Sequence, residues 1–455
     1  MRPRSPHPSR FRLHSLMRNR RQVGLQDRAN TKGFQAYAKP SSLRTLSGQT
    51  HDQLKGARWC GILVVLVYFM RGTVLPRFLH VPEVGWVAMT VLALSLVVGM
   101  VIAGGGRWRW SWIITLFTFT AGVFQAEQPS SAALHWLGIV FLVLAVGPVI
   151  VSPVALAVRS AAWKLTLSGL TSLTAIFVVW YVLHLPSFGG TVYFTSFMNQ
   201  SMLVGPIAGM GVVIAAARAI HGRSWRWGLL AVLGLVPLLA TGSRVAALAT
   251  GAAGCFFLVR RKPMLGGLMV LLCVFVVYGF ITQGQSDQSG DSFTGALASK
   301  GIANSRADLW QSRIDEFKSS PVFGIGIAMG TGSGSVAEEG GAIRVEPGSS
   351  YLAVLSMTGV VGAIAFCSAL GLLLFGYVSS QRQAGLDRDI LNVVGIFLAV
   401  HGVAEGWILG FGSPLCFLFW LWLGNFGDAA LQPVRARTRP RVPAPQKYRS
   451  PQPAL

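Results

Sequence analysis

Apolar stretches of membrane-crossing length recur along this 455-residue chain, separated by short polar connections. They fall at roughly 59–75, 84–103, 110–126, 133–151, 163–183, 201–218, 227–242, 244–259, 264–281, 350–377, 390–409 and 413–427. A bilayer core takes about 20 predominantly apolar residues in helical form. The pattern therefore predicts an all-α polytopic membrane protein with about twelve transmembrane helices. The pair around "ATGSR" (240–244) predicts two spans joined by a tight turn. The domain reading is a basic tail over 1–58, helices 1–9 over 59–281, one long polar loop over 282–348, helices 10–12 over 349–428, and a second basic tail over 429–455.

The long loop contains one segment with helical spacing, "SRADLWQSRIDEFKSSPVFGIGIAMG" (305–330). Ala307, Trp310, Ile314 and Phe317 recur at intervals of three and four, which predicts one face of a short amphipathic helix. Arg306 and Arg313 lie seven apart and share another face. Ser305 is placed to cap the helix, with Asp308 as its capping-box partner. Pro321 ends it, and Gly324, Gly326, Gly330, Gly332 and Gly334 predict a flexible stretch beyond.

Charge gives these segments sides. The composition is 52% hydrophobic and 12% charged, with a mean hydropathy of +0.53. The net charge of +23 is concentrated in the tails: residues 1–58 hold thirteen Lys/Arg and two acids, and residues 431–455 hold six Lys/Arg and no acid. Both tails lack apolar periodicity and read as disordered cytoplasmic segments facing anionic lipid rather than nucleic acid. With both termini inside, the inner segments hold 31 Lys/Arg and 5 Asp/Glu, and the outer ones 8 and 11. This is the positive-inside bias. It puts the 282–348 loop on the outer face, away from ATP and nucleotide sugars. The first apolar run begins near Cys60, so the reading includes no cleavable signal peptide. The five cysteines show no metal spacing and read as packing residues.

A few polar groups fall at or near membrane depth. Arg244 has no acid near it in sequence, and an arginine at a helix centre costs at least about 2.5 kcal/mol. His401 and Glu405, four apart, predict one helical face in the outer half of a span. Glu346 closes the loop just before "SSYL", where Ser349, Ser350 and Tyr351 begin the next span. Arg244, Arg306, Glu346, Glu405 and His401 are the candidate catalytic residues. Trp310, Arg313, Ser349, Ser350 and Tyr351 are the candidate substrate contacts.

The order of these motifs resembles the O-antigen ligase/polymerase superfamily of bacterial polysaccharide enzymes. That family pattern has an outer-loop arginine, a tryptophan four residues later, "sP-x-x-G-x-G", and a helix with aromatic-Leu and Gly-x-x-Gly. Here these are Arg306, Trp310, Ser320–Pro321, Gly324, Gly326, Tyr351–Leu352, Gly359 and Gly362. The motif-bearing part covers about 240–365. The resemblance implies a glycosyltransferase of the inner membrane that takes an undecaprenyl-pyrophosphate-linked oligosaccharide as donor, without cofactor or metal. It assigns Arg244 and Arg306 to the pyrophosphate. Two planar, bidentate cations suit a leaving group that gains negative charge as the glycosidic bond breaks.

Ligases of the family carry a histidine in the outer loop before the re-entering helix, whereas all eight histidines here lie elsewhere. The resemblance therefore points toward a polymerase joining repeat units of exopolysaccharide or O-antigen. A chain-length regulator and a flippase would be its partners. Two alternatives stay open: an O-antigen ligase acting on lipid A core or protein, and a transporter or flippase of lipid-linked sugar. Against the transporter, the sequence shows no repeated half and no clear pair of broken helices.

Overall fold

The computed structural model describes residues 51–71, 92–99, 106–126, 129–184, 194, 196–198, 201–268, 271, 302–327, 348–380, 385–411 and 413–431. Within them the protein is all-α apart from one two-residue strand pair. The chain divides into two units, Met1–Gln53 and Leu54–Leu455, and the second carries the helical bundle.

The helices are α1 (His51–Arg71), α2 (Trp110–Val123), α3 (Pro129–Val146), α4 (Pro153–Leu183), α5 (Ser201–Gly222), α6 (Trp225–Ala240), α7 (Arg244–Arg261), α8 (Ile302–Ser319), α9 (Ser350–Ser379), α10 (Leu386–His401) and α11 (Pro414–Leu431). A further helical stretch spans 92–99. Strands β1 (Arg107–Trp108) and β2 (Ile150–Val151) pair antiparallel, Arg107 opposite Val151, and tie the start of α2 to the start of α4.

Four stretches are long and apolar enough to cross a membrane: Pro153–Leu183, Met202–Gly222, Ser350–Ser379 and Pro414–Leu431. Trp110–Val123, Ala132–Val146 and Trp225–Ala240 are apolar but shorter. Most of the predicted segments thus coincide with apolar helices, although twelve crossings are not established. The predicted 264–281 span falls mostly outside the described residues, as do parts of 84–103, residues 1–50 and 432–455 of the tails, and the loop apart from 302–327 and Gly348.

Three predicted boundaries change. The first helix starts at His51, so residues 51–58 are helical and not part of a disordered tail. The fourth helix starts at Pro153, ten residues early, because Ser152 Oγ accepts from Ala155 N at 3.0 Å and Pro153 occupies the first turn. The 390–409 span is not one helix. The helix α10 stops at His401, and residues 402–411 are irregular, with Gly402 capping the helix end and turns at 402–404 and 408–409.

The core is aromatic where α2, α9 and α11 meet. Trp112 packs edge-on against Phe366 and Trp420, and Phe119 stacks on Phe366 at 6.2 Å. Such pairs add about 0.5–1.5 kcal/mol beyond burial. At one end of the bundle polar groups lock helices together. Asp389, at the start of α10, accepts from His221 Nε2 of α5 at 2.7 Å and from Arg261 Nε of α7 at 2.6 Å. There too, the fully buried Arg159 of α4 forms a bidentate pair with Asp428 of α11, both contacts at 2.7 Å.

Candidate functional site

The loop segment folds as predicted in kind, and differs in detail. Helix α8 begins at Ile302, so Ser305 lies inside it and is not its cap. The face turned to the protein carries Leu309, Trp310, Arg313, Glu316 and Phe317, whereas Ala307 and Ile314 are exposed. The predicted apolar face is therefore rotated. The reason is an ion pair: Arg313 Nη1 donates to Glu316 Oε2 at 2.7 Å, and both residues are buried. A neutralised pair one turn apart can be buried where a lone charge cannot. Arg313 is thus buried in this pair and does not share an exposed face of α8.

Trp310 Nε1 donates to Gly348 O at 3.0 Å, just before α9. Gly348 is needed there, since an added Cβ would lie 2.8 Å from Leu309 Cβ. Ser349 caps α9, its Oγ accepting from Leu352 N at 3.4 Å. The adjacent Ser350 is fully buried and makes a knot. Its Oγ donates to Glu405 O at 2.7 Å and accepts from Trp407 N at 3.0 Å, and its N donates to Gly402 O at 2.8 Å. The start of α9 is thereby sewn to the 402–408 turn. Tyr351 is half exposed, with its hydroxyl donating to Ala399 O at 2.7 Å. Ser350→Ala is expected to leave Trp407 N buried without its acceptor. The cost is about 1–3 kcal/mol of stability. Thermal unfolding of the purified chain reads this as a lower midpoint.

The expected single face for His401 and Glu405 does not form, because the helix ends between them. His401 is buried, and its Nδ1 accepts from Trp407 Nε1 at 3.0 Å. A neutral imidazole has one acceptor nitrogen, so the proton sits on Nε2 and Nε2–H is a donor. His401 is thereby held with Nε2–H as a donor and Nδ1 engaged by Trp407. Trp407, which sets this state, is absent from the candidates that the sequence offers. Its flanking Gly406 is the signal that could have found it.

Arg244 opens α7 and is half-buried, behind Ser243, whose Oγ accepts from Ala246 N at 3.4 Å. Helices α7 and α10 pack together, with Arg261 at the end of α7 bonded to Asp389 at the start of α10. They are therefore antiparallel, and Arg244 lies at the His401 end of the bundle. The contact of Gly209 with both Thr250 and Phe397 agrees with this level. One end of the molecule thus gathers Arg244, Trp310, Ser349–Tyr351, His401 and Glu405. Arg306 is in α8, one turn before Trp310; its side chain, like Glu346, lies outside the described part of the structure.

Residues 229–367 match the family model described as O-Antigen ligase. The match begins within α6, ends within α9, and so contains Arg244, Arg306, Trp310, Arg313, Glu346, Ser349, Ser350 and Tyr351 but not His401 or Glu405. No curated protein matches the chain significantly. This domain match, with its motifs in order on α7, α8 and α9, supports the O-antigen ligase/polymerase superfamily as the relation of residues 229–367.

Proposed function

We propose that the protein is a polymerase that joins undecaprenyl-pyrophosphate-linked oligosaccharide repeat units into exopolysaccharide or O-antigen at the periplasmic face of the inner membrane. The observation that carries this reading is the gathering of Arg244, the start of α9 and the Glu405 turn at one end of an apolar bundle, beside the helix that bears Arg306. The opposite end holds Arg109, Arg159, Arg261 and Arg388, which suits a cytoplasmic side and both termini within it.

The chemistry is glycosyl transfer with inversion. A hydroxyl of the acceptor sugar attacks the anomeric carbon of the donor, and the bond from that carbon to the pyrophosphate oxygen breaks. The electron pair leaves with the lipid pyrophosphate, whose developing charge Arg244 and Arg306 would take up. A carboxylate or histidine would help to remove the hydroxyl proton, and Glu346, Glu405 and His401 are the candidates. Trp310, Ser349 and Tyr351 would line the donor path, with a flippase and a chain-length regulator acting before and alongside the step.

Deletion of the gene tests the reading. Loss of long polymer, with single repeat units still reaching the surface, is the expected result. Long lipid-linked polymer over an undecorated core would instead assign a ligase. Repeat units trapped on the cytoplasmic side would reject glycosyl transfer in favour of transport.

A further inference from the structure

Helix α9 is broken at Gly359, whose φ of 64° and ψ of −172° no helix contains. The break lies nine residues after Ser350, about 14 Å along the axis. In an intact helix Val360 N and Val361 N would donate to Ser356 O and Met357 O. Here Val360 N donates to Pro321 O at 2.8 Å and Val361 N to Val322 O at 3.2 Å. The two freed carbonyls accept from Ile325 N at 2.9 Å and Gly326 N at 3.2 Å. Both donors and both acceptors exposed by the break are thus taken up by the short segment after α8. Irregular backbone at membrane depth survives where protein satisfies it in this way.

The "SPVFGIG" motif is therefore a clip. Ser320 Oγ donates to Gly324 O at 2.8 Å and closes the loop on itself. Gly324 has φ of 77°, and a Cβ there would overlap the Met357 carbonyl; a Cβ on Gly359 would overlap Val322 O. The end of α2 seals the far side, where a Cβ on Gly122 would lie 2.9 Å from Met357 O. None of these backbone groups is left for a ligand.

A second attachment lies at the other end of this pairing. Trp310 Nε1 bonds Gly348 O, and Pro321 O, eleven residues after Trp310, accepts from Val360 N, twelve residues after Gly348. So α8 runs parallel to the first half of α9, fastened at two levels of similar spacing. The eight residues of α8 before Trp310 extend past the start of α9, by about 12 Å. Arg306 rides on that overhang.

We propose that the clip makes Gly324, Gly326 and Gly359 positioning residues. They hold α8 in register with α9 so that the overhang carries Arg306 at a set height over the site. The inference rests on the glycan-transfer reading for its functional half and on backbone geometry alone for its structural half.

The test uses the full chain in lipid nanodiscs, with spectroscopic labels on unnatural residues at the exposed positions Gln311 and Val403. Gly359→Ala is expected to shift or broaden the distance between them. Trp310→Phe, which keeps the ring and removes the N–H donor, is expected to do so more weakly and covers the case where the glycine variant fails to fold. Gly371→Ala, on the same helix with open space around it, is expected to change nothing. In transfer assays with a lipid-linked donor, Gly359→Ala should lower kcat about tenfold, because a displaced Arg306 meets the developing charge less well, with donor KM changed by less than about threefold. An unchanged distance in both variants overturns the clip. A changed distance with unchanged kcat in Gly359→Ala overturns its positioning role. A wild-type chain with no transfer activity would count against the proposed function, and the label distances would still decide the clip.

Discussion

Arg244→Ala and Arg306→Ala are each expected to abolish long glycan while the amount of chain in the membrane stays at the wild-type level. In the proposed reaction the leaving lipid pyrophosphate gains charge as the glycosidic bond breaks, where low dielectric magnifies each fixed cation. Removing one such donor from comparable sites lowers rate by about 10²–10³-fold. Lysine at either position keeps the charge and loses the planar fork, so partial activity is expected, between alanine and wild type. Arg244 sits in the first turn of α7, where Ser243 and not the guanidinium supplies the cap, so its removal leaves the helix start intact. The measurement is polymer length by gel together with membrane-fraction immunoblot. Normal polymer in both alanine variants would reject the paired-arginine site.

Asp428→Ala should cost more stability than Ser350→Ala, about 3–5 kcal/mol. It strands Arg159, which is fully buried and takes both oxygens of Asp428. Arg109 is nearby, donating to Pro148 O and Gly427 O at 2.8 Å, and burial lowers its guanidinium to about 10 while Asp428 opposes that shift. Without the carboxylate, two cations would share a dry site. Removing both partners, as Arg159→Met with Asp428→Leu, is expected to recover part of the loss only. Arg159 Nη1 also serves Gly147 O at 3.1 Å and Ile150 O at 2.9 Å, and those carbonyls would lose their donor. Thermal unfolding in matched nanodiscs should rank wild type above the double variant and the double above Asp428→Ala. Equal midpoints for wild type and Asp428→Ala would show that the pair holds nothing together.

The residues behind these two predictions differ in how visible they are along the chain. Arg244 stands out in sequence because an arginine beside an apolar run, with no acid near it in the chain, is costly, and that cost makes a role expected. Arg159 carries no such mark. Its partner is 269 residues away, and only the packing of α4 against α11 brings them together. Arg313 shows the reverse error. Its spacing from Arg306 suggests a shared outward face, but Glu316, three residues on, turns it inward. A helical period fixes which residues share a face; it does not say which face is buried when an ion pair competes with Ala307 and Ile314 for the interior.

The shared face predicted for His401 and Glu405 fails for a related reason. Four-residue spacing implies one face only if the helix continues, and Gly402 begins a turn instead. The glycines of "SPVFGIG" predict slack for the same local reason. Glycine permits both flexibility and tight left-handed turns, and the choice is made by what lies opposite. Here that is the broken backbone of α9, 31 to 39 residues further on.

The sequence by itself determined the membrane class, the approximate places of most apolar helices, the short helix ended by Pro321, and the family motifs. These depend on hydrophobic run length, local periodicity and residue order, all of which are readable along one chain. The tertiary structure alone decided the rotation of α8, the donor state of His401, the Arg159–Asp428 lock and the use of Gly359 as a socket for the loop. Each of these depends on how groups distant in sequence satisfy charges and hydrogen bonds in a place that water does not reach.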